Sequence, residues 1–277
     1  MLQIPAFSAP QSPCLSDAAV IVGWESDAGK LGGLVVDYLV RKLKAEECAE
    51  IEPVGFFPLD GVQVEGDIAV FPEAKFYCCE RNNLLLFRSA LPVSDSYGFL
   101  NLVLEVAGRC GHVREMYTVG GMVSFVAHTA ARDVFALPNS PEMKGMLQRY
   151  GLAGDVDYET PPGQGTTLNS FLLWVARQRE LGSAGIWTAV PFYMTAVQDF
   201  RACRQAAMFF DARFGLDLDF VELDEAIGRQ DEKMAWLMSS YPEVDRAVRK
   251  TEEGVALTEE EMESLVMAVE EHLGQMD

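Results

Sequence analysis

A chain of 277 residues, 49% of them hydrophobic, is long enough for one large α/β domain, or a domain with an appendage, and apolar enough to fill a core, which excludes a disordered chain. Its formal charge of −20 disfavours nucleic acid and anionic membranes as partners, since both would repel it. Six cysteines with no C-x-x-C pair, and only three scattered histidines, give no zinc spacing; the pattern fits reduced thiols in a cytoplasm and implies no metal and no cofactor.

Residues 1–17, with Pro5, Pro10 and Pro13, read as an arm laid over the surface or left loose. They lack the basic start and apolar run of a signal peptide, and no segment approaches the roughly 18 apolar residues of a membrane span. From Ala18 the periods begin to alternate. AAVIVG is a short continuous apolar run, as in a strand covered on both faces. Leu31, Leu34, Val35, Tyr38, Leu39 and Leu43 then recur at helical spacing and predict a covering helix. KFYCCE and LLLFRSA flank Arg81-Asn82-Asn83, which predicts an antiparallel hairpin. In KFYCCE, Cys78 and Cys79 would point to opposite faces and cannot bridge to each other.

Asp95 to Cys110 carries helical spacing, EMYTVGG reads as a buried strand ending in two glycines, and DVFALP reads as a further strand. Ser140 can cap a short helix with Pro141 at its first position. TTLNSFLLWVARQRELG predicts a helix with Leu168, Phe171, Leu172 and Val175 inward and Gly182 as its stop. The strand AGIWTAVP and a helix over 199–214 follow. This alternation predicts an α/β fold, a mixed, mostly parallel sheet with helices on both faces. From Asp217 onward the character changes: 18 Asp plus Glu stand against 5 Lys plus Arg, a net of −13. Amphipathic spacing continues there, with Thr258 and Glu261 as a capping box. The expected organisation is an arm (1–17), an α/β core (18–216) and an acidic helical extension (217–277).

The stretch VIVGWESDAGKLGGLVVDYLV has the layout of strand, glycine-rich turn and helix start that binds phosphate in many α/β proteins. Its spacing argues otherwise. Gly23 and Gly29 enclose five residues where a phosphate loop has four, Leu31 rather than a hydroxyl follows Lys30, and Glu25 and Asp27 bring negative charge. The small residues serve close packing of helix on strand, and the two acids can cap the helix. His128, with Arg132 and Asp133 nearby, is placed at the carboxyl edge of the sheet, where it could orient an anion or move a proton; the alternative is an Arg–Asp pair on a loop. GQGTTLNS offers either an anion cradle or an ordinary helix cap through Thr166 or Thr167. No Ser/His/Asp order and no thiol with a neighbouring base stands out, so no catalytic residue is assigned. A ligand cleft, if one exists, would draw on Gly23, Gly29, Lys30, Gly120, Gly121, His128, Arg132, Gly163, Thr166, Thr167 and Asn169.

The ordered set IVGWESDAGKLGGLVVDYL, TVGGM, RDVFALPNS, GQGTTLNSFLLWVARQRELG, AGIWTAVPFYM and LDEAIGRQDEKMAWLMSSYPEVDRAVRK resembles the PAC2 family over residues 18–252. The family is named after proteasome assembly chaperone 2, and some members are loosely labelled ATP-grasp. The resemblance implies a three-layer α/β/α sandwich similar to nucleoside phosphorylases and hydrolases. It further implies a cytoplasmic homo-oligomer, such as a trimer, acting as an assembly factor or protein-binding module rather than an enzyme. The rival expectation is a phosphorylase- or hydrolase-type enzyme acting on a small anionic or nucleoside-like ligand near His128. The family's first loop usually reads G-x-P-G-x-G-x-x-G, and here Trp24, Glu25 and Ser26 replace its middle. Members that dock on proteasome rings end in a hydrophobic-Tyr-any tail; this sequence ends Gly274-Gln275-Met276-Asp277, so docking by that route is not expected.

Overall fold

The computed structural model describes residues 7–8, 15–57, 63–65, 67–152 and 165–274. In chain order β1 (Phe7–Ser8) and β2 (Leu15–Trp24) lead through a turn of 3₁₀ helix to α1 (Leu31–Leu43), then β3 (Glu46–Ile51), β4 (Gln63–Glu65), β5 (Ile68–Val70), β6 (Ala74–Cys79) and β7 (Leu84–Ser89). After these come α2 (Ser96–Cys110), β8 (Gly111–Ser124), β9 (Val134–Pro138), α3 (Pro141–Leu147), α4 (Leu168–Gln178) and β10 (Gly182–Pro191). Four helices close the chain: α5 (Phe200–Phe214), α6 (Val221–Ser240), α7 (Pro242–Glu252) and α8 (Glu259–Leu273).

Eight strands form one mixed sheet in the order β1-β3-β6-β7-β2-β8-β10-β9. Its centre, β7, β2, β8 and β10, is parallel, and the strands towards either edge are antiparallel. Both faces are covered, because strand side chains alternate. Ala19 and Ile21 enter one apolar cluster with α1, α3 and α5, whereas Val20, Val22 and Trp24 enter the other with α2 and α4. The result is an α/β/α sandwich. The stripes of α6, α7 and α8, including Met234, Leu237, Val248, Leu265 and Val269, join the first of these clusters.

The caps fall where the sequence places them. The side chains of Ser140, Thr167 and Thr258 each accept a backbone N–H at a helix start, and Thr258 and Glu261 close a reciprocal capping box. The hairpin turn uses Asn83 in the left-handed region (φ 50°). Other expectations need correction. β8 does not end at Gly120-Gly121 but continues to Ser124: the Trp187 ring and the Ala28 carbonyl fill the space a Cβ would need at these two positions, so the glycines mark close packing inside a strand rather than its end. Leu168 and Phe171 are only partly buried, leaving Leu172 and Val175 as the inward face of α4. Cys48, Cys79, Cys110 and Cys203 are not disulfide-bonded, but Cys78 is, against the expectation of reduced thiols throughout.

One feature of the topology positions the site. From β2 the chain passes through α1 towards β3, β6 and β7 on one side of β2, then crosses through α2 to β8 on its other side. Connections therefore diverge at the carboxyl ends of β2 and β8. In open α/β sheets that divergence opens a crevice, and the crevice is where ligands bind.

Candidate functional site

Asp27 fills this crevice. It sits in the loop between β2 and α1, and the Gly32 N–H donates to its carboxylate at 3.1 Å while the Gly121 N–H on β8 donates at 2.9 Å. The backbone donors that would greet a phosphate are thus taken by a carboxylate of the chain itself. Burial raises the Asp27 pKa from 3.8 to about 6, outweighing the hydrogen bonds from Gly32 and Gly121, which pull it down.

Close packing explains the neighbouring glycines. A Cβ at Gly23 would overlap the Gly32 carbonyl on α1, and one at Gly121 would overlap the carbonyl of Ala28. Gly29 ties the first loop to the segment after β10: its N–H donates to the Thr195 carbonyl at 2.9 Å, and its carbonyl accepts the Asp199 N–H at 3.0 Å. Lys30 stands at the start of α1 with its backbone in the left-handed region (φ 48°). It is exposed and forms no ion pair among the described residues, consistent with a solvated side chain.

Asp199 caps α5 through the Ala202 N–H and pairs with Arg132 Nε at 3.0 Å, both side chains being fully buried. Three of the remaining four N–H groups of Arg132 donate to the carbonyls of Ala127, Ala130 and His128 at 2.7–3.1 Å. The guanidinium therefore holds the loop after β8 in shape. His128 is buried as well. Its Nδ1 lies 3.1 Å from the Tyr193 hydroxyl, its backbone N–H donates to that hydroxyl at 2.7 Å, and its carbonyl accepts from Arg201, which also pairs with Asp231. Burial lowers the His128 pKa, aided by Arg132 and Arg201 and opposed by Asp231 and Glu252. Its hydroxyl neighbour is a phenol whose own pKa burial drives upward.

On the opposite face, Asn169 at the start of α4 accepts the Trp24 Nε1–H at 2.7 Å and donates to the Val119 carbonyl at 3.1 Å. It lies against Gly120, where a Cβ would collide with its amide. Thr167 caps α4 and Thr166 is exposed; Gly163 lies outside the described residues. The structure thus brings Gly29, Arg132 and His128 together through Asp199, and Gly23, Gly120, Gly121 and Asn169 together around Trp24 and Asp27. Sequence reasoning missed Tyr193, the Trp24–Asn169 pair and the role of Asp199 as partner of Arg132. It treated Asp27 as a possible cap, which was the available signal. An open cavity of about 440 Å³ lies between β9 and α5, walled by Val134, Tyr150, Met208 and Phe209, with Arg132 at its margin. Among the described residues no three His, Cys, Asp or Glu side chains form a metal site, and no helix is long and apolar enough to cross a membrane.

The model of the PAC2 family matches residues 20–238. Among solved structures, a Mycobacterium tuberculosis protein of unknown function superposes with a TM-score of 0.73 at 20% identity, covering 97% of this chain and 92% of its own. The Pyrococcus furiosus protein PbaB, an archaeal proteasome activator, gives 0.65 at 20% identity, covering 82% of this chain and 95% of its own. PbaA of the same organism, an archaeal homologue of proteasome-assembly chaperone, gives 0.64 at 17% identity, covering 90% and 98% respectively. No curated protein matches the chain.

Proposed function

The chain belongs to the PAC2 family, and from that premise we propose that it is a non-catalytic, self-associating protein of the cytoplasm that acts as an assembly factor or protein-binding module. One observation carries the reading. At the crevice where an α/β enzyme of this topology would hold substrate, polar groups among the described residues are engaged with one another, Asp27 with the Gly32 and Gly121 amides, Arg132 with Asp199 and three carbonyls, and Asn169 with Trp24. Among the described residues the hydrogen-bond partner of the His128 ring is the Tyr193 phenol. The solved structures the chain resembles include an archaeal proteasome activator and an archaeal homologue of proteasome-assembly chaperone.

The rival is an enzyme of phosphorylase or hydrolase type, and a thermal-shift panel separates the two. Inorganic phosphate, nucleosides and nucleotides at about 100 times their dissociation constant would stabilise a binding protein by about 2.7 kcal/mol. The proposal expects no shift with any of them. A saturable shift that His128→Ala abolishes would overturn it in favour of the enzyme.

A further inference from the structure

Beyond Ser124 the chain turns away from the sheet and leaves the Phe125 ring 72% exposed, with Phe192 tilted against it at a centroid separation of 5.2 Å. The turn between α7 and α8 rises opposite. Thr251, Val255, Leu257 and Met262 face Phe125 across an open groove of about 350 Å³. The walls are apolar, since the Thr251 hydroxyl is spent on the Ala247 carbonyl at 3.0 Å, and Val255 is 48% exposed. Single exposed apolar side chains are commonplace, but a concave apolar surface left open to water is the mark of a contact site.

The groove has a charged margin. Glu252 and Glu253 precede the turn, Glu259 lies one helical turn before Met262, and Glu263 follows it; all four are exposed. Glu253, Glu259 and Glu263 form no salt bridge among the described residues; of the nearby cations, Lys250 is paired with Glu261 at 2.6 Å and the exposed Arg246 also acts on Glu261, so the carboxylates outnumber the cations at this margin. A cationic ligand is therefore favoured and an anionic one repelled. Apart from Phe125, the lining residues lie beyond residue 238, where the family match ends. The groove is formed between the family core and the chain's own C-terminal helices.

We propose that this groove receives an apolar side chain from a partner protein segment flanked by Lys or Arg. The proposal rests on the protein-binding reading above. A second copy of the chain fits less well: it carries a charge of −20, and a groove with room for one or two large side chains falls short of the roughly 800 Å² per partner that a standard interface buries.

Fluorescence anisotropy with a labelled Lys-Lys-Leu-Phe-Lys-Lys peptide tests it on the full chain. Saturable binding is expected, weakened about tenfold or more by Phe125→Ser with Val255→Ser, and likewise by Glu253→Lys with Glu263→Lys. The peptides Glu-Glu-Leu-Phe-Glu-Glu and Lys-Lys-Gly-Ser-Lys-Lys should bind at least about tenfold more weakly. All four substitutions lie on the surface, and thermal melting checks that the variants fold. Failure to saturate up to about 1 mM peptide, or equal binding by wild type and variants, overturns the proposal. So does a change of subunit number in the Phe125→Ser, Val255→Ser protein, which would make the groove a contact between copies. Capture from native lysate separates the two levels: a partner held equally by wild type and this variant leaves the protein-binding reading standing while the groove assignment falls.

Discussion

Replacing Asp27 by asparagine asks what the half-buried carboxylate at the crevice contributes. Burial outweighs the hydrogen bonds from Gly32 and Gly121 and raises the pKa from 3.8 to about 6, so the native state holds the proton more tightly than the unfolded chain does. The sign follows. This group contributes stability below pH 3.8, and the contribution is lost as pH rises through about 6. The whole difference corresponds to about 3 kcal/mol, of which about 1.4 kcal/mol disappears between about pH 5 and about pH 8. His128, whose pKa burial lowers, slopes the other way because its stability is lost as pH falls. It is present in both proteins and cancels when wild type and Asp27→Asn are subtracted. Chemical denaturation at fixed protein concentration should therefore show the wild type losing about 1.4 kcal/mol relative to Asp27→Asn over that range, or about 3–5 °C in Tm. A difference that stays flat, or that grows in favour of the wild type with rising pH, would refute the reasoning, since it would mean that the amide hydrogen bonds prevail over desolvation.

Three further predictions address the same region. Arg132→Met strands a buried Asp199 carboxylate and should cost about 3–5 kcal/mol in urea denaturation; a loss below about 1 kcal/mol would show the pair to be dispensable. Gly23→Ala forces a methyl into the Gly32 backbone and should cost more than about 2 kcal/mol, whereas Gly228→Ala, mid-helix in α6 with open space around it, should stabilise by up to about 1 kcal/mol; matched melting curves would contradict both. Asn169→Leu leaves the buried Trp24 indole N–H without its acceptor, so a loss of about 1–3 kcal/mol and a changed tryptophan emission spectrum are expected, and an unchanged spectrum would count against the contact.

Much of the fold is legible in the sequence because it is written in local periods. The change from continuous apolar residues in β2 to helical spacing in α1, the Arg81-Asn82-Asn83 turn and the Thr258–Glu261 capping box all follow from residues within a few positions of each other. β3 is not legible because Glu46 and Glu47 are exposed, Cys48 and Glu50 are half-buried and only Ala49 and Ile51 are buried, which leaves too few apolar positions to reveal a period of two. The site was less legible. Asp27 reaches an amide 94 residues away, Arg132 pairs 67 residues along, and Trp24 meets Asn169 across 145 residues. Such contacts depend on which strands lie side by side, and no local spacing encodes that. The sequence therefore marks Gly121, Arg132 and Asn169 as chemically able, and the fold pairs them with Asp27, with Asp199 and with Trp24 respectively.

Native mass spectrometry of the protein purified from its own cells under non-denaturing conditions tests the central claim most directly. The account predicts a particle containing two or more copies of the 30.6 kDa chain together with a stoichiometric protein partner. A lone 30.6 kDa species, carrying a bound nucleoside or phosphate compound and no second protein, would contradict it.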